Sequence, residues 1–122
     1  MPRVVHFEIH VDDPDRAGKF YREVFDWRFQ KWEGPVEYWL ITTGDSTEPG
    51  IDGGMMRRRD PQGNVYNTIA VNNIDASIAS IEKHGGTIVV PKMPISGVGW
   101  LAYFKDTEGN IGGVMQTDHN AK

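Results

Sequence analysis

Two stretches of this chain, Gly50-Ile-Asp-Gly-Gly-Met-Met and Gly109-Asn-Ile-Gly-Gly-Val-Met, lie 59 positions apart and share a glycine frame. Val11 and Val71, each just ahead of a helical pattern, are 60 apart. Trp39-Leu40 and Trp100-Leu101 are 61 apart. Three landmarks at nearly one offset mark an internal duplication. Each half reads as a strand, a helix and three more strands. The expected fold class is therefore α+β: a single domain, residues 1–122, of duplicated βαβββ modules at about 3–60 and 64–117. These would form a curved mixed sheet around a cleft, with the helices on the outer face.

The first strand shows which side is which. Val5, Phe7, Ile9 and Val11 alternate with His6, Glu8, His10 and Asp12. A period of two gives one apolar and one polar face. Asp12-Asp13-Pro14 is a helix start, with an acidic cap followed by proline where no helical N–H is needed. Ala17, Phe20, Tyr21, Val24 and Phe25 then follow at helical spacing, so the helix can cover the apolar face of the strand. That leaves His6, Glu8 and His10 on the opposite side, lining the inside.

Further along, strands are expected at Trp27–Trp32, Val36–Thr42, Gly50–Arg57, Val65–Val71, Thr87–Val90, Gly99–Lys105 and Asn110–Gln116. Asn73 caps a second helix that carries Ile74, Ile78 and Ile81 and stops at Gly85-Gly86. Pro91-Lys-Met-Pro94 is expected to break the chain after Val90. Arg57-Arg58-Arg59 precedes the turn Asp60-Pro-Gln-Gly-Asn64 and reads as a solvated loop rather than an anion site.

Composition narrows the function classes. A net charge of −4 argues against nucleic acid or an anionic membrane as partner. No apolar run is long enough for a membrane span, no signal peptide is visible, and the expected location is cytoplasmic. The absence of cysteine excludes disulfides and thiolate metal sites.

The duplicated plan, the opening Val5-His-Phe-Glu-Ile-His-Val-Asp-Asp-Pro14 with Phe20-Tyr21, and the closing Asp106-Thr-Glu-Gly-Asn-Ile-Gly-Gly-Val-Met-Gln116 resemble the vicinal oxygen chelate superfamily. That group includes glyoxalase I, ring-cleaving dioxygenases, and fosfomycin- and bleomycin-resistance proteins. The resemblance covers about residues 3–117. It implies a small-molecule ligand and a homodimer. In metal-using members it also implies one divalent metal held by four inward positions. Carried onto this chain, those positions fall at His6, Gly54, Tyr66 and Gly113. Glycine has no side chain to offer, and tyrosine is absent from the usual zinc sets.

His6, Glu8 and His10 do not make a metal site in a straight strand. At ~3.3 Å rise per residue, the first and last are about 13 Å apart. His6 with Glu8, joined by Asp52, is the feasible set if a metal binds. The expectation is therefore a small-molecule-binding protein of the glyoxalase/bleomycin-resistance/dioxygenase-like group without the usual metal or another cofactor. The alternative is a metal-dependent lyase or isomerase of the glyoxalase I type with a non-standard site. His6 and Glu8 are the candidate catalytic pair. His10, Asp52, Tyr66, Thr68, Trp39 and Trp100 are the candidate ligand-binding residues. His84 is expected at a helix C-terminus, where it favours the dipole, and His119 in the polar tail; neither is a catalytic candidate.

Overall fold

The computed structural model describes residues 2–122. Ten elements follow in order: β1 (Arg3–Val11), α1 (Pro14–Phe25), β2 (Arg28–Lys31), β3 (Trp39–Thr42), β4 (Gly53–Arg57), β5 (Val65–Ala70), α2 (Ile74–Lys83), β6 (Thr87–Ile95), β7 (Gly99–Lys105) and β8 (Ile111–Thr117). The chain divides into two compact units. An N-terminal unit comprises His6–Tyr66. A C-terminal unit comprises Asn67–Lys122 and takes in the start of β1 as far as Val5. The fold is α+β, and the βαβββ order occurs twice.

In the N-terminal unit the strands run β2-β3-β4-β1. β1 and β4 are parallel, with Glu8 opposite Gly54, and β3 is antiparallel to β4, with Leu40 opposite the same glycine. The C-terminal unit repeats this as β5-β8-β7-β6, with Thr68 opposite Gly113 and Tyr103 on its other side. One expected landmark falls out of register. Trp39 faces Met55, whose counterpart 59 residues on is Val114, and Val114 faces Ala102. Trp39 therefore corresponds to Ala102, not Trp100. Unequal loops displaced the match by two residues along the strand while keeping its face.

The caps are as the sequence predicts. Asp13 accepts from the Arg16 N–H at 3.1 Å, and Pro14 opens α1. Asp26 closes the helix in the left-handed region (φ 61°) and donates its N–H to the Arg22 carbonyl. Asn73 accepts from the Ala76 N–H at the start of α2, and His84 caps its end.

Phe7, Ile9 and Val11 pack with Ile41 and Met55 against Ala17 and Tyr21 of α1, so the helix covers the apolar face as expected. The Tyr21 and Trp27 rings stack at 5.0 Å. The expected apolar stripe of α1 is wider than its contact. Phe20, Val24 and Phe25 stay more than half exposed, because the helix is rolled to bury Pro14 and Gly18 alongside Ala17 and Tyr21. In the C-terminal unit, Ile74, Ile78 and Ile81 of α2 pack with Val71, Ala102 and Val114.

Three expected boundaries shift. β6 does not stop at Val90 but runs on through Pro91 and Pro94 to Ile95. It pairs only with β7 within its unit, and proline is tolerated on an edge strand; register shifts between Ile88 and Met93 absorb the missing donors. β3 begins at Trp39 rather than Val36, and β4 at Gly53 rather than Gly50. Residues 51–52 are instead used to hold the preceding turn: Thr43 donates its N–H to Asp52 Oδ1 and its hydroxyl to the Ile51 carbonyl.

The basic run is largely structural. Arg57 pairs with Glu37 at 2.7 Å, and Arg58 bonds Asp12, Gly63 and Asn64.

Gly53 makes room for its partner across the β1–β4 pairing, Phe7. A Cβ there would lie 2.6 Å from both the ring and the carbonyl oxygen of Phe7. Because the obstacle is partly backbone, it cannot swing aside. Gly53→Ala is expected to destabilise the protein by about 1–3 kcal/mol in urea unfolding.

Candidate functional site

The polar face of β1 is not washed by solvent. Glu8 is 5% exposed and His10 7%, while His6 is half-buried. A buried carboxylate has to be answered by donors. His10 Nε2 donates to Glu8 Oε1 at 2.7 Å, and the Tyr38 hydroxyl donates to Glu8 Oε2 at 3.0 Å. The same hydroxyl lies 3.0 Å from His6 Nε2. Since a phenol has one proton and here gives it to Glu8, His6 must be the donor to Tyr38 Oη. The result is a continuous chain, His6–Tyr38–Glu8–His10. The Tyr66 ring lies against the His10 imidazole, with centroids 4.1 Å apart.

Tyr38 is the residue that the sequence reading missed. It lies in the irregular segment between β2 and β3 and is fixed by a backbone bond from the Trp32 N–H to its carbonyl at 2.8 Å. Its hydroxyl fills the space above Gly54, where a Cβ would overlap it. The glycine was therefore half of the signal: a missing side chain beside two polar residues asks what fills the gap.

The electrostatics follow from burial. Desolvation lowers the His6 pKa below 6.5, partly offset by the charges of Glu8 and Asp52, and favours a neutral ring. Burial first, then the Glu8 charge and hydrogen bond, push the Tyr38 phenol well up, so it stays a protonated donor. Tyr66 is also raised, chiefly by burial and then by Asp60 and Glu8, with Arg58 opposing.

The donors do not fit a divalent metal. Both Glu8 oxygens and His6 Nε2 are taken up within the chain of bonds, and the Gly54 position is filled by a phenol. Among the described residues, no three His, Cys, Asp or Glu side chains converge on one point. A structural metal needs about four protein ligands and a catalytic one about three.

The remaining candidates are dispersed. Asp52 is exposed, holds Thr43 and acts on His6 only through its charge. It also borders an open hollow of about 740 Å³, which is lined by Arg28, Thr42, Asp45 and Glu48 among others. Trp39 and Trp100 are not on the polar faces. Each packs into the helix-covered cluster of its own unit, and Trp100 also donates to Asp118 at 3.1 Å. Thr68 is buried opposite Gly113 in the C-terminal unit. His84 bonds the Ser80 carbonyl one turn back, and His119 bonds the Gly97 carbonyl 22 residues away.

Two predictions follow from this chemistry. Because the folded-state pKa of His6 is lowered, its contribution to stability is fully present above about 6.5 and is lost as pH falls through the folded value. The urea midpoint should drop from about pH 8 to about pH 5, and His6→Gln should remove part of that drop. Tyr38→Phe takes one hydrogen bond from Glu8 and one from His6, and is expected to cost about 1–3 kcal/mol by the same measurement.

Known proteins share this organisation. Residues 3–44 match the family model for the bleomycin resistance protein-like N-terminal region. A glyoxylase-like domain-containing protein from Didymella fabae is 31% identical over 110 residues, covering 84% of each chain. A protein bearing the glyoxylase name, CFP32, from Mycobacterium tuberculosis is 26% identical over 93% of this chain. The chain spans 45% of that relative's length. Methylmalonyl-CoA epimerase, solved with methylmalonyl-CoA and ammonium, superposes with a TM-score of 0.69 at 16% identity, covering 100% of this chain and 99% of its own; that likeness is one of fold. With its duplicated βαβββ order and a relative matched along most of both chains, the protein belongs to the vicinal oxygen chelate superfamily, in its glyoxalase/bleomycin-resistance group.

Proposed function

We propose that this chain is a small-molecule-binding protein of the glyoxalase/bleomycin-resistance/dioxygenase-like group that works without the usual divalent metal. One observation carries the reading. The Tyr38 hydroxyl, 3.0 Å from both His6 Nε2 and Glu8 Oε2, takes the place between imidazole and carboxylate that a metal would need. What remains is a set of hydrogen-bonding groups on a face walled by aromatic rings, a common make-up for a ligand site. Glu8 orients Tyr38, the second ring nitrogen of His6 is left as an acceptor while Nε2 donates to Tyr38, and Tyr66 supplies a flat apolar surface. Cytoplasmic residence and a homodimer belong to the same proposal and rest on the resemblance.

A second reading is favoured by the His6–Glu8 pair itself, which retains an imidazole and a carboxylate on one face. It is a metal-dependent lyase or isomerase of the glyoxalase I type, in which Tyr38 moves aside. Elemental analysis of protein purified without chelator separates the two. The binder reading expects no divalent metal above background and no rise in melting temperature on adding Zn²⁺, Ni²⁺ or Mn²⁺. It expects a rise with at least one compound of a metabolite library, since a ligand at 100 times its Kd stabilises by about 2.7 kcal/mol. Stoichiometric metal, or metal-dependent stabilisation lost in His6→Ala, overturns it.

A further inference from the structure

One side of α1 packs on its own unit, and the flank beside it does not. Ala17 and Tyr21 join the apolar cluster and Pro14 and Gly18 are buried, while Phe20 and Val24 stay 54% and 55% exposed. Phe25 is exposed too, but its ring belongs with Tyr21 and Trp27, at 6.2 and 5.7 Å. Arg16, Phe20 and Val24 follow at intervals of four, so they form one ridge along the helix. Glu23 and Lys19 lie on the outer flank of that ridge. They are four residues apart, where opposite charges on a helix can meet. Yet both are exposed, and neither makes a hydrogen bond or ion pair among the described residues. The Arg16 side chain is 75% exposed, with a single distant contact to Asp13 at 3.9 Å.

This ridge is complementary to itself. A twofold axis through Phe20 sets two copies of α1 antiparallel, with the same patch on both sides of the contact. At about 1.5 Å per residue, Arg16 lies about 6 Å before Phe20 and Glu23 about 4.5 Å after it. Antiparallel helices therefore bring Arg16 to within about 1.5 Å of the level of the partner's Glu23. At about 100° per residue, Arg16, Lys19 and Glu23 all fall on the same flank of Phe20, and the twofold keeps that flank on one side. Each Glu23 then meets the partner's Arg16 and the partner's Lys19, twice over. The centre holds Phe20 against the partner's Phe20, with Val24 beside it. A parallel pairing would instead set Arg16 on the partner's Arg16 and Glu23 on the partner's Glu23.

We infer that the Arg16–Phe20–Val24 ridge of α1 is the surface on which a second copy of this chain docks, antiparallel and centred on Phe20. This deepens the homodimer of the proposed function and rests on it. A helix of 12 residues offers a face about 18 Å long and about 10 Å wide. That is small beside the ~800 Å² each partner gives to a standard interface, so the dimer is weak and concentration-dependent.

The chain has no cysteine, so Phe20→Cys places a single thiol at the axis, within disulfide reach of its copy. Mild oxidation should yield covalent dimer about tenfold faster from Phe20→Cys than from Asp15→Cys, an exposed position on the far side of the same helix. Sedimentation equilibrium of the parent, from about 10 μM to about 1 mM, should show mass rising with concentration. Arg16→Glu and Glu23→Arg each set like charges together and should weaken the dimer about threefold or more; the two combined should restore it. Both changes suit the helix dipole, so the fold survives them. A monomer over that whole range overturns the inference and the homodimer with it, leaving small-molecule binding untouched. A dimer that neither charge reversal weakens, or equal oxidation rates for the two cysteine variants, overturns the inference alone, and the homodimer then uses another surface. Weakening that the combined variant does not repair also overturns it, since the antiparallel register is what the repair reads.

Discussion

The Glu8 carboxylate is the constraint on which the N-terminal unit depends. It sits on a strand whose other face builds the core, so it cannot be moved to water without unpacking Ile9. Its burial has to be answered by donors that arrive from elsewhere: His10 two residues on, and Tyr38 from thirty residues away. The long segment before β3 is thereby tied to β1. The same need explains why the fold keeps a glycine at position 54, opposite Glu8 in the register, since any side chain there would evict the phenol.

The two units show what the duplication preserved and what it let go. Parallel pairing of the first strand with the fourth, glycine pairs in β4 and β8, and a helix over an apolar cluster recur in both. The chemistry does not recur. Glu8 corresponds by register to Thr68, and Leu40 to Tyr103. The backbone plan is held by sterics and hydrogen bonding, which both copies need. The ionisable cluster on β1 and its tyrosine partner belong to one copy alone.

Much of the fold was written locally. The β1 alternation, the Asp13-Pro14 and Asn73 helix starts and the glycine frame each depend on residues a few positions apart, and each is found where the spacing puts it. What was not local was not legible. Tyr38 reaches Glu8 across 30 residues, with nothing in its neighbourhood to show it. Trp39-Leu40 and Trp100-Leu101 look like counterparts because the linking loops differ in length, and only the strand register exposes the slip. Phe20, Val24 and Phe25 share the helical spacing of Ala17 and Tyr21, yet spacing alone does not say how far a helix is rolled. The burial of His10 escaped notice for the same reason: its cover comes from Tyr66, 56 residues later.

The interlock of Gly54 with Tyr38 has an evolutionary consequence. A metal ligand introduced at position 54 would strike the phenol, and loss of the phenol alone would strip Glu8 of a donor without adding a ligand. Neither single step is favourable on its own, so positions 38 and 54 constrain each other. The pair acts as a lock: a change at either position is tolerated only with a matching change at the other.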